Sequence, residues 1–133
     1  MAAKSRYLSN KVLNNALVNT AYTPPAIVYT ALNTTASTVT APGAEDADVN
    51  YLRVATTFST STLGTTSNSG ILAFYGAGRA AGSANIVEAA IYDSLTSGGS
   101  NNELYFGMLA VPKTVSVGDT LSFAIGALSV LEA

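Results

Sequence analysis

The chain contains no cysteine, no histidine and no tryptophan. Without cysteine there is neither a disulfide framework nor a thiolate nucleophile. Without histidine it lacks the usual general base and the commonest metal ligand. Charge is scarce too. Asp, Glu, Lys and Arg make up 11% of the 133 residues, against ~25% in ordinary soluble domains. The six basic residues are scattered from Lys4 to Lys113 and the net charge is −2. Phosphate neutralisation needs clustered cations, so nucleic acid is not an expected partner. No apolar run approaches the ~18 residues of a membrane span. The opening segment lacks the apolar core of a signal peptide. The expectation is synthesis in the cytoplasm and no membrane partner.

What is present is apolar and hydroxylic. Apolar residues make up 48% and the mean hydropathy is +0.32. Thirty residues are serine or threonine. Threonine keeps β-propensity while facing water, so hydroxyls here replace charge on the outer faces of strands. A monomer exposing much apolar surface would be a liability, so the composition points to packing within an assembly.

Residues 5–19 predict the one helix. Leu8, Val12 and Ala16 recur every four residues, Leu13 and Leu17 widen the stripe, and Asn10, Lys11 and Asn14 lie opposite. Ser5 is the expected N-cap, and Pro24 with Pro25 the expected stop. After Pro25 the pattern is β. Candidate strands are "AIVYTALN", "VNYLRVATTFST" with Tyr51, Arg53 and Ala55 on one face, "ILAFYG", "NIVEAAIYD", "ELYFGMLAV", "KTVSV", "TLSFAIG" and "ALSVLE". "TTASTVTAPGAEDAD" reads as a long mobile loop and "LGTTSNSG" as a turn. The fold class expected is all-β, mainly antiparallel. It would be a jelly-roll-like sandwich or barrel of about eight strands with one N-terminal helix, in a single domain over residues 1–133.

The carboxylates are the remaining candidates for chemistry. Glu88, Asp93, Glu103 and Asp119 could form a two-carboxylate site of the glycosidase kind. Asp93 and Asp119 also stand where turns need them, Asp93 ahead of Ser94 and "SGG", Asp119 after Gly118. With no histidine to pair them, the turn reading prevails. Glu45, Asp46 and Asp48 crowd one stretch but lack the spacing of a calcium loop, so a solvated loop is expected. "GAGRAAG" opens no helix and has no Lys-Ser/Thr, so it is no phosphate cradle. Tyr22, Tyr29, Tyr51, Tyr75, Tyr92 and Tyr105 could stack on sugars, which would make a carbohydrate-binding module, but most sit at strand positions suited to packing. No residue is assigned a catalytic, cofactor-binding or metal-binding role, and no cofactor is expected.

The segment from Ala90 to Val130 resembles a family of small proteins from tailed bacteriophages. The shared pattern is a Gly-Ile-Tyr-Asp segment, a Gly-rich turn, a Leu-x-x-x-Gly-type strand, a Lys-Thr-Val element and a Gly-Asp-Thr turn. Here these are Ala90–Ile91–Tyr92–Asp93, Gly98–Gly99, Leu104 to Gly107, Lys113–Thr114–Val115 and Gly118–Asp119–Thr120. The opening "YLSNKVLNNALVNTAYTPPAIVYTALNT", a short helix, then "NTAYT", then a strand, is similar as well, whereas residues 36–83 match only loosely. Ala90 stands where glycine is usual, and the turn after Asp93 is longer by "SNN". The resemblance implies a virion structural protein without enzymatic activity. The leading expectation is a capsid cement or decoration protein on the capsid surface, a homotrimer bound to the major capsid protein. The alternative is a tail or tail-fibre component. Cement needs no chemistry: binding only the assembled shell stabilises it by ~4 kcal/mol per site at roughly a thousandfold excess over Kd. The helix and the loop 34–48 are the candidate contact elements.

Overall fold

The computed structural model describes residues 3–96 and 102–132. In chain order its elements are β1 (Ala3–Lys4), α1 (Arg6–Leu17), β2 (Val28–Asn33), β3 (Val54–Thr56), β4 (Thr65–Ser67), β5 (Leu72–Phe74), β6 (Ala84–Tyr92), β7 (Glu103–Val115), β8 (Leu121–Phe123) and β9 (Ser129–Leu131). The two longest strands, β6 and β7, are the spine. They lie in a five-stranded antiparallel sheet of order β1-β7-β6-β2-β3. Two short antiparallel ribbons, β4-β9 and β5-β8, complete the strands. The chain is all-β and antiparallel with one N-terminal helix, as its pattern predicts, and is built as a sandwich.

The central strand β6 is covered on both faces, which explains its near-continuous apolar run. Ile91 packs with Leu8, Leu104 and Val130 beneath the helix and β9. Ala90 and Tyr92 pack on the opposite face with Ala31 and Phe106. The largest cluster joins Leu32 and Ile86 of the sheet to Leu72, Phe74 and Tyr75 around β5, with Tyr51 stacked 6.4 Å from Phe74. Alanines at positions 31, 89 and 90 keep the mid-sheet thin enough for these layers to close.

Strand β7 absorbs two predicted strands, "ELYFGMLAV" and "KTVSV", into one. Between the pairs Ile86–Lys113 and Glu88–Met108, a single β6 residue, Val87, faces residues 109–112. Pro112 sits inside this bulge, where its missing N–H breaks no ladder bond. The segment read as the turn "LGTTSNSG" contains β4, which has no apolar alternation of its own and pairs β9 through Thr65–Leu131, Thr66–Val130 and Ser67–Ser129. The turn before it is tight. Thr62 and Thr65 exchange backbone bonds of 3.0 Å in both directions, with Leu63 at φ 53° and Gly64 at φ 77°. Around Gly118 the turn is present, with Gly118 at φ 83°, but no hairpin forms: β7 pairs β6 and β1, while β8 pairs β5.

Helix α1 begins as predicted. Ser5 caps it, its Oγ accepting from the Leu8 N–H at 3.2 Å. It ends two residues earlier than predicted and without the prolines. Asn19 adopts left-handed backbone at φ 57°, and the N–H groups of Val18 and Thr20 both donate to the Asn14 carbonyl, at 3.1 and 3.0 Å. Asparagine tolerates this conformation and β-branched residues do not. Asn19→Gly is therefore expected to leave stability within a few tenths of a kcal/mol, and Asn19→Val to lower it by about 1–2 kcal/mol. Urea midpoints of the two variants check this.

Candidate functional site

The loop 34–48 is tied to the sheet by hydrogen bonds. It folds over the face of the sheet that carries Glu88, Ala90 and Tyr92, and its polar side chains are the lid. Asn33, at the end of β2, is bridged to Glu45 of the loop. The Thr34 N–H donates to the Ala44 carbonyl at 2.7 Å, and the Asp46 N–H to the Leu32 carbonyl at 3.3 Å. Gly43 fits because a Cβ there would lie 2.1 Å from the Thr35 carbonyl oxygen.

At the centre of this lid is Ser37. Its Oγ lies 2.5 Å from Glu88 Oε1 and 2.8 Å from Glu103 Oε1, and it accepts from the Gly43 N–H at 2.8 Å and from Asn33 Nδ2 at 3.1 Å. The Ser37 N–H donates to both Glu88 oxygens at 3.0 Å, and Asn33 Nδ2 donates to Glu88 at 2.6 Å. Glu88 from β6 and Glu103 from β7 are thus the two predicted candidates that meet. Both are buried. Asn33 Oδ1 beside them is the one buried side-chain atom without a partner among the described residues.

The cation for this cluster is Arg53, which is 4% exposed. Its guanidinium pairs with Glu45, donates to the Ser94 carbonyl at 2.8 Å and lies over the Tyr92 ring at 3.7 Å. The Tyr92 hydroxyl reaches Glu103 at 3.4 Å, and the Tyr51 hydroxyl donates to Glu45 at 3.2 Å. Of the three carboxyl groups Glu45 has the guanidinium as its ion-pair partner, while Glu88 and Glu103 are held by Asn33, Ser37 and Tyr92, and the single Ser37 hydroxyl proton cannot serve two carboxylates at once. Burial pushes the Glu103 pKa up to about 7; the Ser37 hydrogen bond opposes this and the charge of Glu88 adds to it. Near neutrality Glu103 holds a proton for a large share of the time.

A second latch lies alongside. Asp46 pairs with Arg79 and accepts from the Tyr75 hydroxyl. Asp48 accepts from the N–H groups of Asn50, Ala80 and Ala81 at 2.9–3.1 Å. Of the acidic stretch expected to be solvated, Glu45 and Asp46 are drawn into ion pairs with arginines, while Asp48 stays at the surface, bound to backbone N–H groups. Among the described residues, no group of three or more His, Cys, Asp or Glu could hold a metal ion.

The other candidates separate from this cluster. Asp93 opens the β6–β7 connection: its carboxylate accepts from the Asn102 N–H at 3.1 Å and from Asn102 Nδ2 at 2.8 Å. The Gly98–Gly99 part of that turn lies outside the described residues. Asp119 accepts from the Ser116 N–H at 3.0 Å. Tyr51, Tyr75 and Tyr92 are buried and cannot stack on a sugar. Ser37 fills the space between Glu88 and Glu103, so the pair is arranged to hold a loop down. Neither Ser37 nor Arg53 stood out in sequence. The one available signal was Glu88, an acid amid the apolar run "IVEAAIY".

The outer surface is the other candidate site. Residues 10–21 are exposed, among them Leu13, Leu17 and Val18. Val12 edges an apolar cleft of about 440 Å³ whose walls include Val28, Phe58, Ile91, Leu104 and Val130, with Gly64 of the Thr62–Thr65 turn on its rim. A second depression of about 500 Å³ follows the β7 bulge, between Leu109, Val111, Leu121 and Phe123.

The family model described as "Podophage GP4 fiber I protein gp80" matches residues 3–131. No curated protein matches the chain.

The lid makes stability pH-dependent. The ordinary glutamate pKa of 4.5 is raised to about 7 in folded Glu103, so across that window the folded state holds a proton that the unfolded chain has released. Stability is expected to fall as pH rises from 4.5 to about 7 and to flatten above. Glu103→Gln, which keeps the hydrogen bonds and cannot ionise, should flatten the profile and raise the denaturant midpoint at pH 8 above that of the parent. Arg53→Met strips the ion-pair partner from Glu45, whose side chain is 9% exposed. It should cost about 3–5 kcal/mol, measured by chemical denaturation at neutral pH.

Proposed function

The chain belongs to the podophage GP4 fiber I protein gp80 family, of phage virion structural proteins, and on that premise we propose that it is a non-enzymatic subunit of a virion fibre. The observation that carries the reading is the family match over residues 3–131, which takes in every element of the fold. The structure is in keeping with it. The polar side chains that could do chemistry are consumed in holding a loop, and the surface offers apolar residues and hydroxyls in place of charge. Such a surface suits permanent contact with other virion subunits. Copies of the chain would associate as a homotrimer and contact neither nucleic acid nor membrane.

A capsid-cement role on the major capsid protein is the second reading. It is favoured by the absence of any tandem repeat or long fibrous segment in the 133 residues. Both readings place the chain on the virion, and they differ in where. Gold-labelled antibody against this chain, applied to intact virions, is expected to mark the fibres. Label at threefold positions on the head would select cement, and unlabelled virions would overturn both.

A further inference from the structure

We infer that residues 35–43, the outer part of the loop 34–48, form a proton-operated latch: the segment lies closed over β6 and β7 while the Glu88–Ser37–Glu103 cluster holds one proton more than the serine supplies, and it lifts off the sheet when that proton leaves. Such a latch works in the same way wherever on the virion the chain sits.

Little apolar contact holds this segment down. Of residues 35–43 only Ser37 is buried and Gly43 partly so; the others are exposed, Val39 by 50%. Its bonds to the body of the molecule are polar. Ser37 reaches Glu88, Glu103 and Asn33, and the Val39 carbonyl accepts from the Arg6 N–H at 2.7 Å. Further bonds stay within the loop, from Thr38 to Ala41 and from the Ala44 N–H to Thr35 Oγ1 at 2.7 Å. At the base, Thr34 is bonded to Ala44, and Asn33 is bridged to Glu45, which Arg53 and Tyr51 fix in turn. A segment pinned at its base and held beyond it through one buried side chain opens locally, ahead of the sheet.

That buried contact needs an added proton. Ser37 Oγ has two lone pairs and one hydrogen. It accepts from Gly43 and Asn33, and its hydrogen is best placed toward Glu88, the nearer carboxylate at 2.5 Å. Glu103 Oε1 lies 2.8 Å from the same oxygen. With both glutamates ionised, two oxygens would face each other at that distance with no hydrogen between them, beside a second buried charge. One proton on the pair removes both costs. Carried by Glu103, it points at Ser37 and replaces the 3.1 Å contact from Asn33, whose amide keeps its 2.6 Å bond to Glu88. Burial, with the charge of Glu88 adding to it, holds the Glu103 pKa up to about 7, so the proton leaves near neutrality.

The surrounding charges do not take the proton's place. Arg53 and Glu45 are paired with each other. The Tyr92 hydroxyl, 3.4 Å from Glu103, is kept neutral by burial. Asp93, at the end of β6, is held by Asn102, and Lys4 of β1 pairs with Glu132. From α1, Arg6 is exposed and Lys11 lies over the Tyr7 ring at 5.6 Å. Both acids border open depressions. One of about 400 Å³, between Arg6, Asn10, Val39 and Pro42, has Glu103 in its wall. A smaller one of about 180 Å³, beside Ala36, has Glu88 and Ser37 in its wall. The proton therefore has a way out before the segment lifts.

The test is hydrogen exchange of the full chain at about pH 5 and about pH 8, read amide by amide after intrinsic rates are divided out. The Ser37 and Gly43 amides are expected to lose about tenfold or more of their protection at the higher pH. That loss should be insensitive to dilute urea, whereas the amides of β6 should exchange only through the urea-dependent global opening. Glu103→Gln should hold the Ser37 and Gly43 amides equally protected at both pH values. Ser37→Ala should leave the amide of position 37 unprotected at both, with the protection of β6 and the β-sheet circular dichroism retained. Three results would overturn the latch: Ser37 and Gly43 equally protected at both pH values in the parent, exchange there that follows β6 at every urea concentration, or a Glu103→Gln chain that keeps the parent's pH dependence. A Ser37→Ala chain still protected at position 37 would overturn it as well.

Discussion

One serine hydroxyl holds this structure closed. Ser37 joins the loop 34–48 to both long strands at once, through Glu88 of β6 and Glu103 of β7. On the far face of the sheet, apolar ribbons and a helix supply cover. On the near face the described residues form no second sheet, and a loop serves instead. A loop brings backbone polar groups with it, which must be satisfied where they are buried. Glu88 meets the Ser37 N–H, Tyr51 meets the Leu32 N–H at 2.9 Å, and Asp48 meets the N–H groups beyond Arg79. The acids are thus used as acceptors for backbone, and the arginines neutralise what remains.

That use of charge shapes the outside. Arg53 and Arg79 are buried with Glu45 and Asp46, and Lys4 pairs with Glu132. Asp48, Asp93 and Asp119 are bound to backbone in turns. A chain that begins with few charges therefore presents even fewer to its surroundings. The surface left over is hydroxyl and apolar, which is what the proposed contact with other virion subunits draws on.

The sequence was legible where a signal was local. The 3.6-residue period and Ser5 located the helix, and the Asp93 turn followed from backbone preferences of aspartate and glycine. The strands of β2, β5, β6, β8 and β9 stood out by their β-branched and aromatic residues. Illegible features depended on distant partners. Strand β4 has no apolar pattern because β9 supplies it. The acids of the loop looked solvated because Arg53 and Arg79 lie beyond any local window, and Ser37 is one hydroxyl among many. The helix end was misplaced because Asn19 stops it before the prolines are reached.

The sheet's margins carry a consequence for assembly. Its outermost strands are β1, of two residues, and β3, of three, and beyond Phe106 the margin on one side is β7 itself. A virion subunit is made in many copies within a confined volume, where long bare edges would invite open-ended polymerisation of sheet on sheet. The short outer strands offer such growth little to template on, and the uncovered length of β7 is interrupted by its bulge and Pro112. In the proposed virion role, contact with neighbouring subunits would fall to side chains, whose geometry can close on itself and stop at a defined number.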